Sequence, residues 1–188
     1  MVKKVLSILL LSTLLMVMVS GCAPKEETPL PEERQPVIST DFEDGSAQGW
    51  QPRGGGVTIT PTTAVKHTGE YSLYVSGRNG TWHGAQIEML KEDGAQYLQP
   101  NKAYNISIWV YQESGTSQKL TLTMERKNND GLTDYDSVVY QKDVPDKTWI
   151  ELSNSYPVPA TATYLLLYVE SPTATLSYYI DDLVIDEQ

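Results

Sequence analysis

Short segments of alternating polar and apolar residues recur along the chain from about residue 36 to its end. The segments are 36–43, 55–60, 71–76, 83–89, 103–112, 118–127, 133–140, 147–152, 163–170 and 175–186. Turn pairs such as Asp44-Gly45, Asn79-Gly80 and Asp130-Gly131 separate them, and the apolar stripe of an amphipathic helix is missing from the pattern. Many short strands joined by polar turns predict an all-β fold, a jelly-roll β-sandwich of two antiparallel sheets.

The start of the chain has a different character. Two lysines precede the apolar run 5–19, which is shorter than the roughly 20 residues of a comfortable membrane span. The run ends in Val-Ser-Gly-Cys, which resembles a bacterial lipobox, and Cys22 is the only cysteine of the chain. We therefore interpret residues 1–21 as a lipoprotein signal peptide and Cys22 as the lipidated residue. A plain secretory signal or an uncleaved anchor is the alternative.

Residues 22–36 follow as a spacer, and residues 37–188 form the domain. The stretch 23–36 holds four prolines and four glutamates, a composition typical of an extended segment without a core. At about 3.1 Å per residue it reaches roughly 40 Å. The predicted location is extracytoplasmic, with the domain held on the cell membrane by its lipid.

Charge and residue usage exclude several classes of function. The 24 Asp and Glu outnumber the 14 Lys and Arg, and this net charge of −10 repels nucleic acid. One cysteine allows no internal disulfide, and two histidines leave little for imidazole or zinc chemistry. The 12 Tyr and 4 Trp against 1 Phe favour half-wet surfaces and clefts, although tyrosine is also a common strand residue.

The segment 163–170 separates a core face from a second face. Successive strand residues point to opposite sides of a sheet. The core face receives Leu165, Leu167 and Val169. The other face receives Tyr164, Leu166, Tyr168 and Glu170. A tyrosine and a carboxylate outside the core of so apolar a strand indicate a binding surface or an ordinary solvated face.

Tryptophans and one arginine are the remaining candidates for special roles. Trp82 has no apolar neighbours, so it is either a plug from a loop into the core or an exposed platform. Arg53 precedes three glycines, which permit a close approach to the backbone or form a flexible turn. Trp109 is expected to cap the opposite layer, and Trp149 is expected to pack. Aromatic faces with an Arg and a carboxylate suit sugar rings and their hydroxyls.

Several motifs resemble the family 22 carbohydrate-binding modules, which are found beside bacterial xylanases. The most specific are GWQPRG at 49–54 and GRNGTWHG at 77–84; LYVES at 167–171 and YYIDDLVI at 178–185 also match. The resemblance covers essentially all of 37–187. It implies a jelly-roll without catalysis, with a cleft that binds internal stretches of xylan.

The resemblance also implies site residues. The cleft positions of the family match Arg53, Trp82, Tyr168 and Glu170, and less closely Tyr135.

A structural calcium ion of the family matches the carboxylates of Glu43 and Asp181, with backbone oxygens near Asp41 and Lys66. Oxygen ligands from both ends of the domain suit Ca²⁺.

Binding of xylan or a related β-linked hemicellulose is thus the first hypothesis, and xylanases or sugar transporters are the expected companions. A structural or adhesive surface domain with a protein partner is the second. A glycoside-active enzyme is the third, since carboxylates are available at Glu125, Asp134, Asp136 and Glu170.

Overall fold

The computed structural model describes residues 35–91 and 97–188. Within these ranges the regular elements are eleven β-strands: β1 (Ile38–Thr40), β2 (Gln51–Arg53), β3 (Thr58–Thr62), β4 (Ser72–Ser76), β5 (Gly84–Leu90), β6 (Ala103–Tyr111), β7 (Gln118–Asn128), β8 (Thr133–Val144), β9 (Ile150–Pro157), β10 (Ala162–Glu170) and β11 (Tyr178–Glu187). The described part of the chain contains no helix long and apolar enough to cross a membrane. The predicted signal peptide and Cys22, with most of the spacer, lie outside the described residues.

The strands form two antiparallel sheets. The first sheet has the order β3-β4-β11-β6-β9, and β1 pairs with β11 beside it. The second sheet has the order β2-β5-β10-β7-β8. The predicted all-β sandwich of two antiparallel sheets is confirmed.

Strand alternation places the core between the sheets, as the sequence predicted. The clearest inward-facing residues are Leu165, Leu167 and Val169 of β10, Leu120, Leu122 and Met124 of β7, and Ile106, Ile108 and Val110 of β6. All nine are buried to 1% exposure or less. Tyr168 and Glu170 lie on the outer face of the second sheet, so that face carries two of the predicted cleft residues.

Strand β2 was missed by the sequence prediction, and β9 was placed too early. The three residues of β2 include Pro52, and proline is confined to sheet edges because it cannot donate to a ladder. This strand pairs only with β5, at the edge of the second sheet. The polar stretch in the second half of β9 hid the true end of that strand, at Pro157.

The outer face of the first sheet carries six rings in contact, which we call the aromatic array. In order of contact they are Tyr74, Tyr179, Tyr111, Trp149, His67 and Trp109. Trp109 stacks on His67 with a centroid separation of 3.9 Å, so the expectation that Trp109 caps the opposite layer is wrong. Trp149 packs as expected, and its indole N–H donates to the Lys66 carbonyl at 3.0 Å.

Candidate functional site

The outer face of the second sheet holds a cavity of about 480 Å³, here called the central cavity. Five residues line it: Arg53, Trp82, Tyr135, Tyr168 and Glu170. They come from β2, β8, β10 and the loop between β4 and β5. The structure therefore brings together all five residues that the sequence proposed for a cleft, and their role in binding stays a prediction.

Two of the five residues are exposed aromatic platforms. Trp82 is 51% exposed and Tyr135 is 61% exposed. This exposure rules out the interpretation of Trp82 as a plug into the core. Both rings offer apolar surface to a ligand in the cavity.

Tyr168 differs from the two platforms. It is only 3% exposed, and the guanidinium carbon of Arg53 lies 3.9 Å from its ring centroid. The ring face is therefore covered by a neighbouring side chain. Burial, together with the charge of Glu170, raises the pKa of Tyr168 to about 12, so its phenol stays a neutral hydroxyl at physiological pH.

Arg53 is fixed in place by two partners, one on the adjacent strand β5 and one on β7, two strands further across the sheet. Its Nη2 donates to Glu125 Oε2 at 2.8 Å, and its Nη1 donates to Gln86 Oε1 at 3.1 Å. The side chains of Arg53 and Glu125 are 12% and 15% exposed, so this ion pair is partly shielded from water. The paired groups form a rigid polar floor below the two platforms.

Glu170 is also held by a neighbour. The Thr123 hydroxyl donates to Glu170 Oε1 at 2.7 Å across the β7–β10 pair. A carboxylate accepts several hydrogen bonds, so Glu170 keeps capacity for the hydroxyls of a ligand.

The loop that presents Trp82 is anchored from below by Arg78. This arginine is 4% exposed, and its guanidinium donates to carbonyl oxygens of two adjacent loops. At 2.7–3.2 Å the acceptors are His83, Thr173, Leu176, Thr81 and Ser171. The loop 78–83 and the loop 171–176 are thereby tied to one buried side chain.

Gly54 lets the chain turn beside the cavity. Its φ is +96°, and an added Cβ would lie 2.3 Å from the ring of His83. Only glycine fits both the backbone conformation and the space. The close approach that the glycine run suggested is therefore made by the protein's own histidine.

Sequence reasoning did not assign Gln86, Thr123 and Arg78 to this site, and it named Glu125 only as a carboxylate available for catalysis. A signal existed for two of them, because strand alternation already put Thr123 and Glu125 on the outer face. Nothing in the sequence showed that Arg53 would reach Glu125, which lies 72 residues away along the chain.

The two carboxylates predicted as calcium ligands lie against the same loop. Asp181 is fully buried and accepts from the His67 N–H at 2.9 Å, while Glu43 accepts from the N–H groups of Glu70 and Tyr71 at 2.9 Å. Burial raises the pKa of Asp181 to about 6, so a neighbouring cation would favour its charged form.

The carboxylate oxygens of Glu43 and Asp181 suit a hard cation, but two carboxylates do not complete its coordination shell. Residues 35–91 and 97–188 gather no group of three or more His, Cys, Asp or Glu side chains suited to a metal. Main-chain oxygens would therefore complete a calcium shell. The Lys66 carbonyl accepts one hydrogen bond from Trp149 and has a second lone pair.

Several known proteins are similar to this chain. It is 42% identical over 158 residues to endo-1,4-beta-xylanase A of Thermotoga neapolitana, covering 81% of this chain and 14% of that enzyme. It is 39% identical over 166 residues to endo-1,4-beta-xylanase A of Thermotoga maritima, again over 14% of that enzyme. The chain thus spans about a seventh of the length of these relatives.

Solved structures agree with the fold. The first family 22 xylan-binding domain of Paenibacillus barcinonensis Xyn10C superposes with a TM-score of 0.74 at 32% identity, over 81% of this chain and 94% of that one. The C-terminal family 22 module of Clostridium thermocellum Xyn10B gives 0.72 at 26%, over 81% and 92%. Residues 36–175 match the family described as carbohydrate binding domain. The chain belongs to the carbohydrate-binding domain family, because its sequence matches the family model and its sandwich superposes on a family 22 domain.

Proposed function

We propose that this domain binds xylan or a related β-linked hemicellulose without catalysing its cleavage. One observation carries the proposal: two exposed aromatic rings, Trp82 and Tyr135, line one cavity together with Arg53, Glu170 and the buried Tyr168. Xylan binding is named for solved neighbours of the same fold, which supports the choice of polymer.

The two aromatic platforms and the polar residues of the cavity bind different parts of a sugar chain. C–H bonds of a pyranose ring present positive edges to the faces of Trp82 and Tyr135. Sugar hydroxyls meet the guanidinium of Arg53, the carboxylate of Glu170 and the phenol of Tyr168. Xylose lacks an exocyclic hydroxymethyl group, so its polymer is slim and fits between two raised rings.

The expected affinity is modest. A few stacking contacts minus the cost of ordering correspond to a binding free energy of roughly −5 to −7 kcal/mol, or a Kd near 10–200 μM. The net charge of −10 favours neutral chains over chains rich in uronic acid, most clearly at low salt. Many copies on one cell gain avidity on a long polymer.

The test is calorimetry and affinity electrophoresis of the purified chain with soluble neutral xylan, mixed-linkage β-glucan and an unrelated α-glucan. We expect xylan to bind and the α-glucan to leave the protein unaffected. A protein that ignores every β-glycan would refute the proposal. Release of reducing sugar from xylan would instead show an enzyme, which the proposal excludes.

We also propose that the domain is tethered to the membrane through Cys22 and works beside xylanases or sugar transporters. The lipobox pattern and the Pro- and Glu-rich spacer support the tether, and the xylanases among the relatives support the partnership. Labelling of cells with a radioactive fatty acid should mark the wild-type chain and leave Cys22→Ser unmarked. An unlabelled wild-type chain would contradict the tether.

A structural Ca²⁺ held by Glu43 and Asp181, with backbone oxygens near Asp41 and Lys66, is the third part of the proposal. The buried Asp181 carboxylate with its raised pKa supports it. An ion bound only by the folded state stabilises it by mass action. Chelation should lower the Tm by several degrees and calcium should restore it, whereas Asp181→Asn should show no response. If neither chelator nor calcium changes the Tm of the wild-type protein, the proposed calcium site is refuted.

A further inference from the structure

A second cavity of about 310 Å³ adjoins the central cavity on the same sheet face; we call it the outer cavity. Glu170 lines both cavities, and Thr81, the neighbour of Trp82, lines the outer one. On its far side are Ser137, Tyr140 and Gln141 of β8. The two cavities therefore meet at Glu170.

Two β-bulges in β8 determine the position of Tyr140. Two residues of β8, Tyr140 and Gln141, lie opposite a single residue of β7, Thr121. The flanking register pairs are Leu120 with Lys142 and Leu122 with Val139. With strict alternation, Tyr140 would share the core-facing side of Val138, which is 3% exposed. A second extra residue lies between the register pairs Leu122–Val139 and Thr123–Ser137, and this shift turns Tyr140 to the cavity face, a known use of bulges near binding sites.

The bulge at Tyr140 and Gln141 is fixed by a specific contact. Gln141 adopts φ 44°, the left-handed region that side chains other than glycine rarely occupy. Its N–H donates at 3.0 Å to the hydroxyl of Thr121, which is only 4% exposed. A strained residue with a buried polar partner holds one backbone conformation, so the direction in which the neighbouring Tyr140 leaves the strand is fixed.

The outer cavity has the chemistry of a sugar site. Tyr140 is 71% exposed, which is unusual for so large an aromatic residue and leaves its ring open. Hydroxyls of Thr121 and Ser137, the amide of Gln141 and the carboxylate of Glu170 supply donors and acceptors. The lining contains no lysine or arginine, so it favours a neutral polyhydroxylated ligand over an anion.

We propose that the outer cavity is a further subsite for the same polysaccharide chain, with Tyr140 as its aromatic platform. The inference rests on the proposed function, since it needs a chain in the central cavity. A linear chain that leaves the central cavity over Glu170 enters the outer cavity at once. Consecutive units of one main chain are therefore the occupant, and Tyr140 makes affinity depend on chain length.

The experiment is calorimetry with linear xylo-oligosaccharides from the disaccharide to the hexasaccharide. Tyr140→Ala should weaken hexasaccharide binding about fivefold, the effect of one aromatic–sugar contact. The shortest oligosaccharides should bind the variant and the wild type equally, because they fill only the central cavity. Tyr140→Phe should behave as wild type with every length.

Leu132→Ala is the matched control, because Leu132 is 64% exposed on the same β7–β8 hairpin and lines neither cavity. It should change nothing. Equal loss at every chain length, or loss only with arabinose-substituted oligosaccharides, would overturn the assignment to the main chain. If the hexasaccharide binds wild type and Tyr140→Ala equally while Trp82→Ala loses it, the inference fails and the proposed function stands. If no oligosaccharide binds the wild type, the proposed function fails first.

Discussion

The two outer faces of the sandwich are both rich in aromatic residues, but they use them differently. On the first sheet, the six rings of the aromatic array contact one another in a chain, with centroid separations of 3.9 to 5.7 Å. On the second sheet, Trp82, Tyr135 and Tyr140 keep 51%, 61% and 71% of their surface in water. The same residue types thus pack against one another on one face and stay at least half exposed on the other, where Trp82 meets the ring of His83 at 4.3 Å.

This difference shows which property identifies a binding face. Rings that already contact rings have used much of their apolar surface inside the protein. Rings that remain at least half exposed beside a fixed arginine and a carboxylate retain that surface for a ligand. Exposure together with nearby polar partners, more than aromatic content, marks the second sheet as the site. Substitutions on the two faces should therefore have opposite consequences.

The largest expected effect is on stability, at the aromatic array. Trp109→Ala removes the ring stacked on His67 and should lower the free energy of unfolding by about 3 kcal/mol. Because Trp109 lies on the sheet opposite the cavities, xylan affinity of the folded variant should stay within twofold of wild type. Denaturant unfolding and calorimetry measure the two quantities. A stable Trp109→Ala protein with impaired binding would reverse the roles of the faces.

The second effect is on binding, at the central cavity. Trp82→Ala removes a half-exposed platform and should cost about 2 kcal/mol of binding free energy, or roughly 30-fold in affinity. Xylan would then no longer retard the protein in an affinity gel. Its unfolding free energy should change by less than about 1 kcal/mol, because exposed surface contributes little to the core. Wild-type affinity in a folded Trp82→Ala variant would remove Trp82 from the site.

The smallest effect concerns the floor of the central cavity. Glu125→Gln takes the charge from the partner of Arg53 and should lower both stability and xylan affinity by about 1 kcal/mol. Asp143→Asn is the matched control, since it breaks the exposed Lys119–Asp143 pair, whose side chains are 46% and 71% exposed. Surface pairs of that kind contribute about 0–1 kcal/mol, so the control should be nearly silent. Equal effects of the two substitutions would show that Arg53 needs no fixed partner.

Period-two alternation was enough to predict the sandwich and the two faces of β10. Tyr168 and Glu170 could be placed outside the core because Leu165, Leu167 and Val169 alternate with them. Family motifs then placed Arg53 and Trp82, and the structure brings both to the same cavity. Alternation within a strand and short sequence motifs are therefore enough to predict those site residues whose position depends on their own segment alone.

Contacts between distant segments could not be predicted in this way. The stacking of Arg53 on Tyr168 covers a ring that the sequence placed in the cleft, and it arises only when β2 and β10 meet on one sheet face. The position of Tyr140 depends on a bulge, and an extra residue in one strand leaves no mark in an alternating pattern that is already irregular. Both features come from register between strands.

The anchoring of two loops by Arg78 has an evolutionary consequence. All of its close acceptors are main-chain carbonyls, and a carbonyl is supplied by every amino acid. The exposed side chains of these loops, such as those of Thr81, Pro172 and Thr175, can therefore change by mutation without loss of these hydrogen bonds. These positions beside the cavity can diversify while the loop backbone keeps its shape. Descendants of this chain could acquire a new ligand preference by loop substitutions alone, provided that Arg78 is kept.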